Sequence, residues 1–145
     1  MIGLIQRVIE AEVTVEGELA GHIGRGLVVL VAVQPADASH QVSRLVDRVL
    51  TYRVFCDASG RMNESLMQQG LELLAIPQFT LAADTRKGTR PSFTGAASPD
   101  KGREFFEMFL QQCRTRLPGV ASGRFGADMR VSMVNDGPAT FWLES

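Results

Sequence analysis

Histidine and cysteine are almost missing from this chain, with two of each in 145 residues. His22 and His40 are unpaired, and Cys56 and Cys113 sit in no CxxC or Cys/His spacing. Zinc sites and dithiol redox centres need such clusters, so the pattern predicts no metal and no cofactor. A Ser-His-Asp triad would have to recruit one of the two lone histidines. His22 lies beside a turn and His40 at a helix start, and both read as structural. Cys113 falls on an apolar helix position and reads as a buried thiol. Long apolar runs are lacking too. Leu27 to Val33 is far too short to span a bilayer, so no membrane partner is expected. The opening Met1-Ile2-Gly3-Leu4 runs into Gln6 and Arg7 without the n-region and h-region of a signal peptide. A cytoplasmic location is the expectation. Nor is there an excess of either charge: 15 basic residues face 16 acidic ones, for a net −1. That balance carries no general signature of a nucleic-acid binder. Any such partner would have to rest on local patches.

What is present suits one globular domain over residues 1–145. Hydrophobic content is 45% and charged content 21%, and this length buries a real core. Ile2 to Val15 reads as a strand, with Val13 and Val15 alternating with polar neighbours. Glu16-Gly17 reads as a hairpin turn, with Glu18 to Ile23 returning. After a turn at Gly24-Arg25-Gly26, Leu27 to Val33 suits a central strand. Asp37 or Ser39 would cap a helix in which Val42, Leu45, Val46, Val49 and Leu50 form one face. Arg44, Asp47 and Arg48 fill the other face and read as solvated. Tyr52 to Phe55 is a short strand, followed by a turn at Asp57 to Gly60. Leu71 to Ile76 is another strand, interrupted by Pro77, and Gln78 to Ala82 resumes extended structure. Asp84 to Ala97 reads as a long loop. Ser98 caps a second helix with Pro99 at its first position. Its apolar stripe is Phe105, Phe106, Phe109, Leu110, Cys113 and Leu117. Pro118-Gly119 stops it. Met129 to Val134 and Thr140 to Leu143 are the closing strands. The fold class is α+β: a mainly antiparallel sheet or barrel-like core with two amphipathic helices.

Two segments at strand ends stand out, because scaffolds present chemistry there. In Pro77-Gln78-Phe79-Thr80-Leu81, Phe79 reads plainly as core and Thr80 as a strand residue. A lone threonine is a poor nucleophile without a base, and no histidine or lysine lies near it in sequence. The same segment can instead offer backbone N–H groups to an oxyanion, which leaves almost no trace in sequence. In Asn135-Asp136-Gly137-Pro138-Ala139-Thr140, Asp-Gly is a hairpin signal. The following proline removes a ladder donor. An X-Pro bond is cis in only about one case in twenty, so the local residues favour an ordinary turn. Arg86, Lys87 and Arg90 make the densest basic stretch. They read either as a solvated loop or as phosphate contacts.

Together these two segments resemble the signature segments of the D-aminoacyl-tRNA deacylases. The likeness runs nearly end to end: Met1 to Val8, Val13-Thr14-Val15, Gly24 to Leu27, Asp57 to Asn63, Arg90-Pro91-Ser92-Phe93, Gly123 to Met129 and Phe141-Trp142-Leu143. Each piece is weak alone, and their order and spacing are specific. The resemblance implies hydrolysis of the ester joining a D-amino acid to the 3′ end of tRNA. Glycyl-tRNA mischarged on tRNA-Ala would also enter, since glycine has no side chain to clash. It implies a homodimer in which one subunit's Gly137-Pro138, joined by a cis bond, enters the partner's pocket and excludes L esters. Arg7 and Asn135 would support that segment. Gln78, Phe79 and Thr80 would line the reacting carbonyl. The tRNA's terminal 2′-hydroxyl is the favoured aid to attack, with protein N–H groups holding the oxyanion. In one place the chain departs from the family, which commonly has serine where Pro77 stands. Two other readings compete: a non-catalytic RNA-binding module, and a threonine esterase that forms an acyl-enzyme.

Overall fold

One strand, β1 (Ile2–Val15), organises the sheet in the computed structural model, which describes residues 1–145. Along one edge β1 pairs antiparallel with β8 (Met129–Glu144) over almost its whole length. Along the other edge residues 2–8 pair with β3 (Gly26–Ala32), and residues 11–15 pair with β2 (Glu18–Ile23). Beyond β3 come β6 (Glu72–Pro77) and β7 (Val120–Ser122). The β1–β2 hairpin turns at Glu16-Gly17, as the sequence predicts. Gly21 of β2 comes back against Ser122 and Leu74, which leaves the sheet a nearly closed, barrel-like form. A separate ribbon joins β4 (Arg53–Cys56) to β5 (Met62–Ser65).

The run from Leu27 to Val31 is apolar throughout because both faces of β3 are covered. Leu27, Val29 and Val31 pack into the core beneath the helices α1 (Ser39–Thr51) and α3 (Pro99–Arg116). Val28 and Leu30 face the barrel interior with Leu74, Ile76, Met129 and Val131. Two-sided burial is what turns an alternating strand into a continuous one. In β1 the phase changes midway. Ile5 faces the helices, while Ala11 and Val13 face the barrel interior. A register shift between Val8 and Glu10 leaves Ile9 unopposed, and one extra residue reverses every later side chain. Arg7 lies just before this reversal.

Both predicted helices form with the predicted buried faces. Ser98 caps α3 through the Lys101 N–H, and burial pushes the Cys113 thiol up to about 12. Four local readings change. The cap position of α1 is Ala38, whose N–H bonds the Gln41 side chain at 2.7 Å. Asp37 is drawn away to the Met1 ammonium at 2.6 Å. A third, short helix, α2 (Leu66–Gln69), follows Ser65, whose hydroxyl and N–H exchange bonds with Gln68. That pairing is the reciprocal cap of a helix start. Pro77 does not interrupt β6 but ends it, opposite Val31, so no ladder bond is lost. Residues after it are not extended: Phe79–Ala82 is a 3-10 turn. The sheet is mainly antiparallel, as expected, with β3–β6 and β6–β7 as its parallel pairs.

Candidate active site

The parallel pairing of β3 and β6 sets Pro77 beside Val31, and the Gln78 N–H continues the rung to the Val31 carbonyl at 2.7 Å. The chain then turns sharply, so Phe79 is thrown outward and is 55% exposed. It is not core, contrary to the plain reading. Its ring meets Phe93 edge-on at 5.2 Å between centroids. Gln78 and Phe79 stand between two clefts. One, of about 250 Å³, is lined by Val31, Val33, Phe106 and Phe125 among others. The second, of about 320 Å³, is lined by Ile76, Met129 and Val131. Gly126 borders both.

The Gln78 amide nitrogen donates to the Thr80 hydroxyl at 2.5 Å. A donor cannot take a proton away, so this contact does not activate the hydroxyl. Neither histidine lines either cleft. Phe79 and Thr80 open the 3-10 turn, so their N–H groups have no acceptor inside it.

The second segment is a large bulge rather than a hairpin turn. Gln6 pairs with Thr140 and Val8 with Asn135, so residues 136–139 all stand opposite Arg7. The Arg7 side chain fills that gap. Its Nε donates to the Asp136 carbonyl at 3.1 Å and lies 3.1 Å from the Asp136 carboxylate. Its Nη1 donates to the Val54 carbonyl on β4. Arg7 is buried, and the carbonyl and carboxylate of Asp136 both meet it. The Gly137-Pro138 bond is cis, and both residues are exposed. The Asn135 amide lies over Gly137, 2.7 Å from where a side chain would begin. Both clefts that Gln78 and Phe79 line are built without Gly137 and Pro138. The two segments are therefore not brought together within one chain.

In the basic loop, Arg86 is not free. It chelates Asp84 through Nε and Nη2 at 2.9 and 2.7 Å. That guanidinium holds the Asp84 carboxyl well below the usual carboxylate range, and Asp84 in turn raises Arg86. Lys87 and Arg90 are exposed and make no ion pair.

Apart from Gln78 and Phe79, the walls of the first cleft are not assigned by the sequence. Val31 and Phe106 read as core, and Phe125 and Gly126 carried no role. Asp136, the partner of Arg7, is not marked by the sequence, although both residues lie in the matching segments. No group of three or more His, Cys, Asp or Glu side chains is placed to hold a metal. No helix is long and apolar enough to cross a membrane.

Residues 4–144 match the D-Tyr-tRNA(Tyr) deacylase family. Over 144 residues the chain is 53% identical to the D-aminoacyl-tRNA deacylase of Salmonella agona (strain SL483), covering 99% of each. The D-aminoacyl-tRNA deacylase of Escherichia coli O1:K1 / APEC matches with the same identity and coverage. Among solved structures, the c-Myc DNA Unwinding Element Binding Protein superposes with a TM-score of 0.95 at 39% identity, covering 100% of this chain and 99% of that one. A probable eukaryotic D-amino acid tRNA deacylase, at 17% identity, shares the fold with a TM-score of 0.88, covering 99% and 98%. With matches that run from one end to the other, the chain belongs to the D-Tyr-tRNA(Tyr) deacylase family.

Proposed function

We propose that this protein hydrolyses the ester between a D-amino acid and the 3′ end of tRNA. The observation that carries this reading is the 53% identity to D-aminoacyl-tRNA deacylases over 99% of the chain. The ester carbonyl sits against Gln78, Phe79 and Thr80. Water adds to the carbonyl carbon, aided by the neighbouring 2′-hydroxyl, and the oxyanion is held by the N–H groups that open the 3-10 turn. Collapse breaks the bond to the 3′ oxygen, which leaves with a proton as the free tRNA hydroxyl. The products are the D-amino acid and tRNA. Glycyl esters pass by the same route, including glycine mischarged on tRNA-Ala. Pro77 removes one N–H before this turn, but the Gln78 N–H is already engaged by Val31, so the proposed donors lie beyond it.

Selectivity comes from a second copy of the chain. Gly137 and Pro138 are exposed and lie outside the clefts of their own subunit. In a two-fold dimer they enter the partner's site where an L side chain would project. The cytoplasm is the expected location.

Thr80 serves as a wall in this account. Thr80→Val should keep kcat within about tenfold of wild type, the modest loss expected when a wall hydroxyl rather than a nucleophile is removed. Mass spectrometry that traps an acyl group on Thr80 would overturn that role. The basic loop should bind tRNA phosphates through Lys87 and Arg90, with Arg86 largely neutralised by Asp84. Lys87→Ala with Arg90→Ala should flatten the slope of log affinity against log salt by about 1.4 to 1.8. Arg86→Ala should change it far less. Equal effects from all three would show that the Asp84 pair opens on binding.

A binding-module reading keeps one observation in its favour, the DNA-binding name of the solved relative at 39% identity. Release of D-tyrosine from D-tyrosyl-tRNA by purified protein separates the two. Hydrolysis should proceed at an undiminished rate after exhaustive chelation. Tight binding without release would favour the module, and loss of activity restored by zinc would reveal a metal site.

A further inference from the structure

We propose that Gly102 sets the width of the cleft beside Gln78 and Phe79, acting through the ring of Phe125. This rests on the hydrolase reading of that cleft and makes Gly102 a positioning residue. Gly102 is buried in the first turns of α3, where helix propensity favours alanine. A glycine there calls for a packing reason, and the surroundings supply one. A methyl group at 102 would stand 3.0 Å from Phe125 Cζ and 3.3 Å from Cε2. The ring is also covered by Arg103, whose guanidinium lies 5.0 Å from its centroid. Arg103 Nη2 in turn lies 3.8 Å from where a side chain on Gly126 would begin. Phe125 is thus seated on helix backbone at Gly102 and held by the next residue of the same helix. Its remaining surface lines the cleft with Val31, Val33 and Phe79. A side chain at 102 displaces the ring, and α3 blocks retreat toward the helix. Gly102 and Phe125 both line the cleft, so the displaced ring shifts along its wall. Helix backbone, an aromatic ring and an arginine therefore act together to keep the cleft at its present width.

The test compares wild type, Gly102→Ala, Phe125→Leu and the double variant, using D-tyrosyl-tRNA hydrolysis and thermal unfolding. Gly102→Ala should keep or raise the melting temperature, since alanine suits the helix. It should raise KM about tenfold, the scale of one misfitting methyl group in a pocket. Its kcat should stay within about twofold, because only binding is altered. Adding Gly102→Ala to Phe125→Leu should bring no further rise in KM, because the smaller side chain leaves room. An unchanged KM in folded Gly102→Ala overturns the inference, as does an equal penalty with and without Phe125. If Gly102→Ala fails to fold, Arg103→Gln decides: a raised KM with intact kcat supports the seat, and wild-type kinetics overturn it. No release by wild type would sink the hydrolase reading itself, whereas active wild type matched by Gly102→Ala sinks only this inference.

Discussion

Arg7→Ala is expected to destabilise the protein by about 2 to 4 kcal/mol and to abolish discrimination between D and L esters. Arg7 is 8% exposed and serves three acceptors: the Val54 carbonyl, the Asp136 carbonyl and the Asp136 carboxylate. Truncation strands them, and each buried group left without a partner costs roughly 1 to 3 kcal/mol. The Asp136 side chain is partly exposed, so water offsets part of that cost. The functional loss follows from the bulge. Ladder pairing stops between Thr140 and Asn135, so the Arg7 bonds are what tie this segment to β1 and to β4. Under the proposed selectivity, the exposed Gly137 and Pro138 would then no longer present a fixed wall, and an L side chain could push past. Arg7→Lys should recover only part of both properties, because one ammonium cannot reproduce a fork that reaches two strands. Urea unfolding and the ratio of D to L hydrolysis rates check the two effects separately. A folded Arg7→Ala protein with an unchanged ratio would remove Gly137 and Pro138 from the account of selectivity.

Gly26→Ala should be the most damaging single methyl group in the chain, costing more than about 4 kcal/mol. Gly26 pairs with Glu72 at the first rung of the parallel β3–β6 ladder. A Cβ there would stand 1.9 Å from the Glu72 carbonyl oxygen and 2.8 Å from its carbon. Those are backbone atoms of the neighbouring strand, so the two strands would have to part. Loss on this scale approaches the whole stability of a typical domain, about 5 to 15 kcal/mol. The site would suffer with the fold, because the same ladder ends at Val31 and Pro77. Gly123 offers a control. A methyl there meets the Met129 sulfur, the end of a flexible side chain that can move aside. Gly123→Ala should therefore cost much less. Denaturant midpoints for the two variants decide the matter, and similar midpoints would mean that β3 and β6 adjust more freely than their pairing suggests.

What could be read from sequence follows the physics of each element. The apolar faces of α1 and α3 were legible because burial repeats every three to four residues there. The run in β3 was legible as central because both its faces are covered. Ser98-Pro99 was legible because capping is local chemistry. The bulge at Ile9, the three-residue β7 and the 3-10 turn after Pro77 were not, since each depends on the neighbour across the sheet rather than on its own residues. In the basic loop, reading charge residue by residue hid the pairing of Arg86 with Asp84 only two positions away. The first cleft draws its walls from β3, the 3-10 turn, α3 and the segment around Phe125, and no periodicity links those pieces. The Val54 partner of Arg7 is a backbone carbonyl and leaves no mark on composition. The two signature segments were recognisable through family likeness, while their separation in space came only from the fold.

The most direct measurement is a paired assay of D-tyrosyl-tRNA and L-tyrosyl-tRNA with the purified, metal-free protein, following release of tyrosine from each. Rapid loss of the D ester is expected, while the L ester should decay no faster than in buffer alone. Equal enzymatic rates on the two esters would contradict it.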